Sequence, residues 1–173
     1  SGLVDGPLPT HYEAQESPVA NQIYAQPRNP AIQRPTRPDN PDNESPALDG
    51  EPERYPFALT TYRLTEHFTA GGMTRNVPHL GELQPELFCE IDPELAKLRG
   101  LEHGGWATIS TSRAVIEARV LVTDRLRPFH SDGKVVHTVG LPFHWGTRGI
   151  VTGDVPNDLL PIALDPNTHI QES

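Results

Sequence analysis

Apolar positions form no pattern in the first third of the chain and become periodic only from Tyr55 onward. The run QPRNPAIQRPTRPDNPDNESPALDGEPE is rich in Pro, Asn and Asp, which favour turns and extended backbone and leave little to bury. That predicts an irregular segment over residues 1–54, disordered in isolation or laid as a strap over another domain. From residue 55 to 173 the pattern changes. FALTTYR reads as a strand and FCEI, residues 88–91, as a second. A short helix follows: Asp92 suits its cap, Pro93 its first position, and Gly100 the left-handed residue after its last turn. Leu95, Leu98 and Leu101 would be its buried side. WATIS and AVIEARVLVT read as a hairpin turning at Thr111-Ser112-Arg113. Ile116, Ala118, Val120 and Val122 then face one side, with Glu117, Arg119 and Thr123 on the other. VVHTVGLPF makes a fifth strand broken by Pro142, and GIV (149–151) and the chain's end add short pieces. Five or six short strands and one or two helices predict a mainly β, α+β domain. The strands should form a closed or nearly closed barrel, since a flat sheet would leave long edges exposed.

Charge narrows the choice of partner. The chain carries a formal net charge of −9, of which −5 falls in the first 55 residues. Wrapping nucleic acid or lying on an anionic membrane needs clustered Lys and Arg, so both are excluded as general roles. No apolar run approaches the roughly 20 residues of a membrane span. The single cysteine, Cys89, rules out an internal disulfide framework and reads as a buried strand thiol. With no methionine at its start, the chain is expected to be a piece of a longer protein.

Two stretches concentrate polar groups where strands end. TTYRLTEHFTAGG (60–72) follows an apolar run, and GLPFHWGTRGIVTGDVPNDLLP (140–161) repeats the arrangement. Arg63 offers a planar fork of donors suited to phosphate or a pterin edge. The backbone near Gly71-Gly72 can approach a ligand closely. His144 and Trp145 combine a hydrogen-bonding ring with a stacking surface, and Asn157 can match a heterocycle edge. That set suits a large, polar, phosphate-bearing heterocycle better than a catalytic triad. Plainer roles exist for each: Arg63 pairing with Glu66, histidines capping loops, Trp145 covering the core, Asn157-Asp158 capping a helix. Eight histidines are present, but no HExxH or close His/Cys pair at zinc spacing. No GxSxG, Walker or Rossmann glycine pattern occurs either.

TTYRLTEHFTAGGMTRNVPHLGELQPELFCEIDPELAKLRGL, followed by GLPFHWGTRG and PNDLLP, resembles the C-terminal domain of molybdopterin-dependent formate dehydrogenase catalytic subunits. The leading GPLPTHYEAQESP resembles the segment before that domain. The resemblance implies a double-psi β-barrel that closes over bis-molybdopterin guanine dinucleotide carrying molybdenum or tungsten. It places Thr60, Arg63, His67 and Thr69 in a first cofactor-contacting loop, His144, Trp145 and Gly146 in a second, and Asn157 in a third. Their implied roles are hydrogen bonds to pterin and phosphate groups and shaping of the pocket. With no cofactor bound, as expected for this chain alone, Arg63 and His67 should be exposed and free of internal pairs.

The family's metal ligand and iron–sulfur cysteines belong to earlier domains of the same subunit, and Cys89 matches neither motif. The implied partners are therefore those domains and an iron–sulfur electron-transfer subunit. No nucleic acid and no direct membrane insertion are implied, and the parent would work in a prokaryotic cytoplasm or a membrane-associated complex. The same terminal domain occurs in nitrate- and arsenic-processing molybdenum enzymes, and double-psi barrels also serve as protein-binding modules. The wording TTYRLTEH and LQPE favours formate.

Overall fold

The computed structural model describes residues 17–19 and 53–160 and the backbone of Ala163–Leu164 and Gln171–Glu172. The expectation for residues 1–54 therefore lies almost wholly outside the described residues. The elements are β1 (Ala58–Tyr62), α1 (Pro78–Leu83), β2 (Phe88–Ile91), α2 (Pro93–Arg99), β3 (Trp106–Ser110) and β4 (Val115–Val122). They continue with β5 (Phe129–Ser131), β6 (Lys134–Val136), β7 (Thr138–Pro142), β8 (Ala163–Leu164) and β9 (Gln171–Glu172).

Local chemistry explains several of these elements. Asp92 takes extended backbone and its Oδ1 accepts from the amides of Glu94 and Leu95, both at 2.9 Å, while Gly100 ends α2 at φ +65°. A cap of this kind contributes about 1 kcal/mol. Leu95 and Ala96 face inward, whereas Leu98 is exposed, contrary to the predicted helix face. Leu98 lies about 60° to one side of Leu95 and Ala96 about 100° to the other, and it is the Ala96 side that packs inward. The β3–β4 hairpin pairs Ser110 with Val115, and Ile116, Ala118 and Val120 are buried beneath it.

Among the described residues no sheet closes into a barrel, which corrects the double-psi expectation. One five-stranded sheet runs in the order β1-β7-β2-β4-β3, leaving β1 and β3 as edges. The predicted fifth strand is cut at His137. Its first part, β6, leaves the sheet to pair with β5 around an Asp132-Gly133 turn in which both residues have positive φ, the backbone that a tight hairpin needs. The segment 149–151 forms no strand. Between the two edges lies a cavity of about 910 Å³, floored by Cys89, Ile91 and Leu95 and rimmed by Thr60, Thr61, Thr108 and Ser110. The Cys89 thiol is pushed up to about 11 by burial, which keeps it protonated and unreactive.

Strand direction fixes where the polar loops emerge. β1 runs parallel to β7 in a register that sets Tyr62 beside Pro142, so residues 63–72 and 143–153 leave the sheet together at one end. Tyr62 is anchored just before its loop begins: its hydroxyl donates to the fully buried Glu90 at 2.9 Å. Glu90 also takes a two-pronged contact from Arg125 at 2.8 and 2.6 Å. Burial, and then Glu90, push the Tyr62 pKa upward. Gly140 leaves the room for this contact, since a Cβ there would lie 2.9 Å from the Tyr62 ring and overlap Leu126.

At the opposite end His137 donates from Nδ1 to Asp92 Oδ2 at 2.7 Å. Burial alone would raise the Asp92 pKa, but His137 and the capping amides outweigh it and hold it below the ordinary value. A carboxylate shifted this way adds stability above its unfolded pKa of about 3.9 and loses it as pH falls through the lower folded value. Asp92→Asn is therefore expected to lower the thermal midpoint at neutral pH, with the deficit shrinking below about pH 4. Melting curves across pH check this; a deficit independent of pH would contradict it.

Candidate functional site

The two loops at the shared end are locked to each other through one imidazole. His144 is completely buried; its Nε2 accepts from the Leu64 amide at 2.8 Å, and its Nδ1 donates to the Thr69 carbonyl. An amide can only donate and a carbonyl can only accept, so this ring is neutral with its proton on Nδ1. The electrostatics agree: burial lowers the His144 pKa more than the Thr69 carbonyl raises it, and His67 and Arg63 lower it further. With both nitrogens committed, His144 joins loops and shapes the site.

His67 is likewise buried. Its Nε2 donates to the Gln84 carbonyl at 3.1 Å, leaving Nδ1 to accept from the Thr74 hydroxyl at 3.1 Å. This overturns the expectation of an exposed, unpaired His67. A loop dense in polar side chains can use them on its own backbone, and this one does. Trp145 packs edge-on against His67 with ring centres 5.1 Å apart and against Phe88 at 6.5 Å, so it is a buried floor.

Arg63, by contrast, is exposed, and its guanidinium lies 5.7 Å from the centre of the Phe143 ring on the other loop. Thr69 is exposed and has φ +48°, an uncommon backbone for a β-branched residue. The His144 bond to its carbonyl fastens it there. Such a backbone persists only where the surrounding structure holds it.

The fold therefore brings together Arg63, His67, Thr69, His144, Trp145 and Gly146. Thr60 instead rims the cavity between β1 and β3. Asn157 is exposed on the short 3₁₀ turn Pro156–Leu159, and no hydrogen bond among the described residues ties it to the two loops. Sequence reading missed Arg75, which is 5% exposed and bonded to the carbonyls of Gly146 and Val151, and Phe143, which supports Arg63. The cluster of glycines at 71, 146 and 149 was the available signal: each lies against the Arg75 side chain.

Chemically the region is rich in donors. Besides the Arg63 fork, two buried donors, Arg75 Nε and Trp145 Nε1, have no hydrogen-bond partner. Both are sealed from the surface, so of these donors only the exposed Arg63 fork is placed to meet a ligand rich in acceptor oxygens and negative charge. No group of three His, Cys, Asp or Glu among the described residues is arranged to hold a metal ion, and no described helix is long and apolar enough to cross a membrane.

Two loops thus leave one end of a mixed sheet locked together, with the Arg63 fork exposed beside them. The family described as "Molydopterin dinucleotide binding domain" matches residues 57–173, and the chain belongs to this family. It is 42% identical to formate dehydrogenase 2 subunit alpha (cytochrome c-553) of Nitratidesulfovibrio vulgaris, over 100% of this chain and 17% of that protein. Formate dehydrogenase subunit alpha of Megalodesulfovibrio gigas is 40% identical over 99% of this chain and 16% of its own length. The nitrate-inducible formate dehydrogenase major subunit of Escherichia coli is 37% identical over 98% of this chain and 16% of its own. The chain thus spans roughly a sixth of the length of these relatives. Among solved structures, acetylene hydratase from Pelobacter acetylenicus is similar over 84% of this chain and 19% of that one, with 18% identity and a TM-score of 0.49.

Proposed function

We propose that residues 55–173 form the cofactor-holding domain of a formate dehydrogenase catalytic subunit, gripping bis-molybdopterin guanine dinucleotide at the crossing of the two loops. The observation that carries this is the locking of loop 63–72 to loop 143–146 through His144, with Arg63 left exposed above the crossing. The family match and the formate dehydrogenase relatives support the ligand and the substrate.

In this reading Arg63 and the Thr69 hydroxyl donate to phosphate and pterin oxygens. Gly146, buried against Arg75, leaves room for that guanidinium beneath the loop, and His67, His144 and Trp145 hold the loops and floor. Thr60, on the rim of the β1–β3 cavity, and Asn157, on the Pro156–Leu159 turn, lie apart from the crossing and are not among its contacts in this reading. Oxidation of formate to carbon dioxide, with two electrons passed toward iron–sulfur centres, is the chemistry the bound molybdenum or tungsten cofactor supplies. The residues of this chain bind and orient it, and the remaining domains of the same subunit are its partners.

Amide exchange in the full-length protein tests the site. Comparing protein with and without cofactor, exchange is expected to slow in residues 63–76 and 143–153 together. Protection confined to the strands lining the β1–β3 cavity would place the ligand elsewhere and end this reading.

A further inference from the structure

We propose that Arg75 is the positioning residue of this site, a buried guanidinium that holds the second loop at the height the cofactor requires. The inference rests on the reading just given. Arg75 lies in the 3₁₀ turn Thr74–Asn76, directly after the first loop, and is 5% exposed. No carboxylate among the described residues pairs with it. Its Nη1 instead donates to the carbonyls of Gly146 and Val151, each at 3.2 Å, and to that of Arg148. Its own carbonyl accepts from the amides of Ile150 at 3.1 Å and Val151 at 3.4 Å. One residue thus grips the 146–151 segment with both its side chain and its backbone.

The space for this grip is cut by glycines on both loops. A Cβ would stand 3.0 Å from Arg75 Nε at Gly71, 3.1 Å from Nη2 at Gly146, and 3.1 Å from Nη1 at Gly149. A buried charge is costly unless its donors are used, and carbonyl dipoles answer only part of that cost. Here Nε remains without a partner. An unneutralised positive charge beneath a loop crossing that also presents Arg63 favours an anionic group above it. The phosphates of a dinucleotide supply one, so the guanidinium sets both the shape and the sign of the site.

The test uses the full-length protein with Arg75→Met, Arg75→Lys and, as a control for the site itself, Arg63→Ala. Two quantities are read: amide exchange over residues 146–151, and cofactor retained per polypeptide after gel filtration, by metal and phosphate analysis. Arg75→Met is expected to speed exchange in 146–151 and lower cofactor retention, each about tenfold, while exchange in β3 and β4 stays unchanged. Lysine keeps the charge and three donors, so Arg75→Lys should recover part of both; if the methionine variant does not fold, partial loss in the lysine variant carries the test. Unchanged exchange in the methionine variant would overturn the proposal. So would faster exchange with full retention, provided Arg63→Ala loses cofactor. If neither Arg75→Met nor Arg63→Ala loses cofactor, the site reading falls as well.

Discussion

Replacing Gly71 with alanine is expected to destabilise the domain by at least about 3 kcal/mol and to lower its thermal midpoint by roughly 10 °C. Two costs combine. Gly71 sits at φ +74°, where any residue with a Cβ carries left-handed strain of about 1–2 kcal/mol. A Cβ would also overlap the carbonyl oxygen of His144, which belongs to the backbone and cannot rotate away. Relief requires the two loops to part, which stretches the His144 bonds to Leu64 and Thr69 and pushes on Arg75 Nε. Gly72 provides the control. Nothing lies within 4 Å of a Cβ there, so Gly72→Ala should change stability by no more than about 0.5 kcal/mol. Thermal unfolding of the pair measures the difference, and equal midpoints would show that the loops are not in contact as described.

How much of this was legible in the sequence depends on the range of the interaction. The α2 helix could be read residue by residue because its signals are local: Asp92 caps it, Pro93 starts it and Gly100 ends it. The β3–β4 hairpin was legible for the same reason, its alternating face matching the buried Ile116, Ala118 and Val120. Sheet closure was not. Alternation along VVHTVGLPF does not reveal that the chain changes partner at His137, with β6 joining β5 while β7 enters the main sheet between β1 and β2. That change of partner is decided by pairing between distant segments and by the Asp132-Gly133 turn. The barrel expectation failed at this step.

The site shows the same division. Polar loops after β1 and β7 were legible, and the parallel register of those strands is what makes them neighbours. The division of labour within them was not. His67 and His144 look like ligand contacts in a linear sequence, yet both rings are spent on Thr74, Gln84, Leu64 and Thr69. Arg75 stands alone in GGMTRN with no partner nearby in sequence, because the carbonyls it holds lie more than seventy residues away. Arg63 was read as exposed, and it is.

Arg63 therefore carries the largest functional prediction. A hydrogen bond to a charged group contributes about 1.5–3 kcal/mol, which is roughly ten- to a hundredfold in affinity. Arg63 is exposed and its contact with Phe143 is a surface one, so its loss should cost the fold less than about 1 kcal/mol. Lysine at this position keeps the charge but not the planar fork, and should restore only part of the binding.

The most direct measurement is the dissociation of molybdopterin dinucleotide from the full-length protein, wild type against Arg63→Ala, with thermal midpoints recorded alongside. Release faster by about ten- to a hundredfold at a nearly unchanged midpoint is the expected result. Release at the wild-type rate from a folded Arg63→Ala protein would contradict the claim that the crossing of these two loops holds the cofactor.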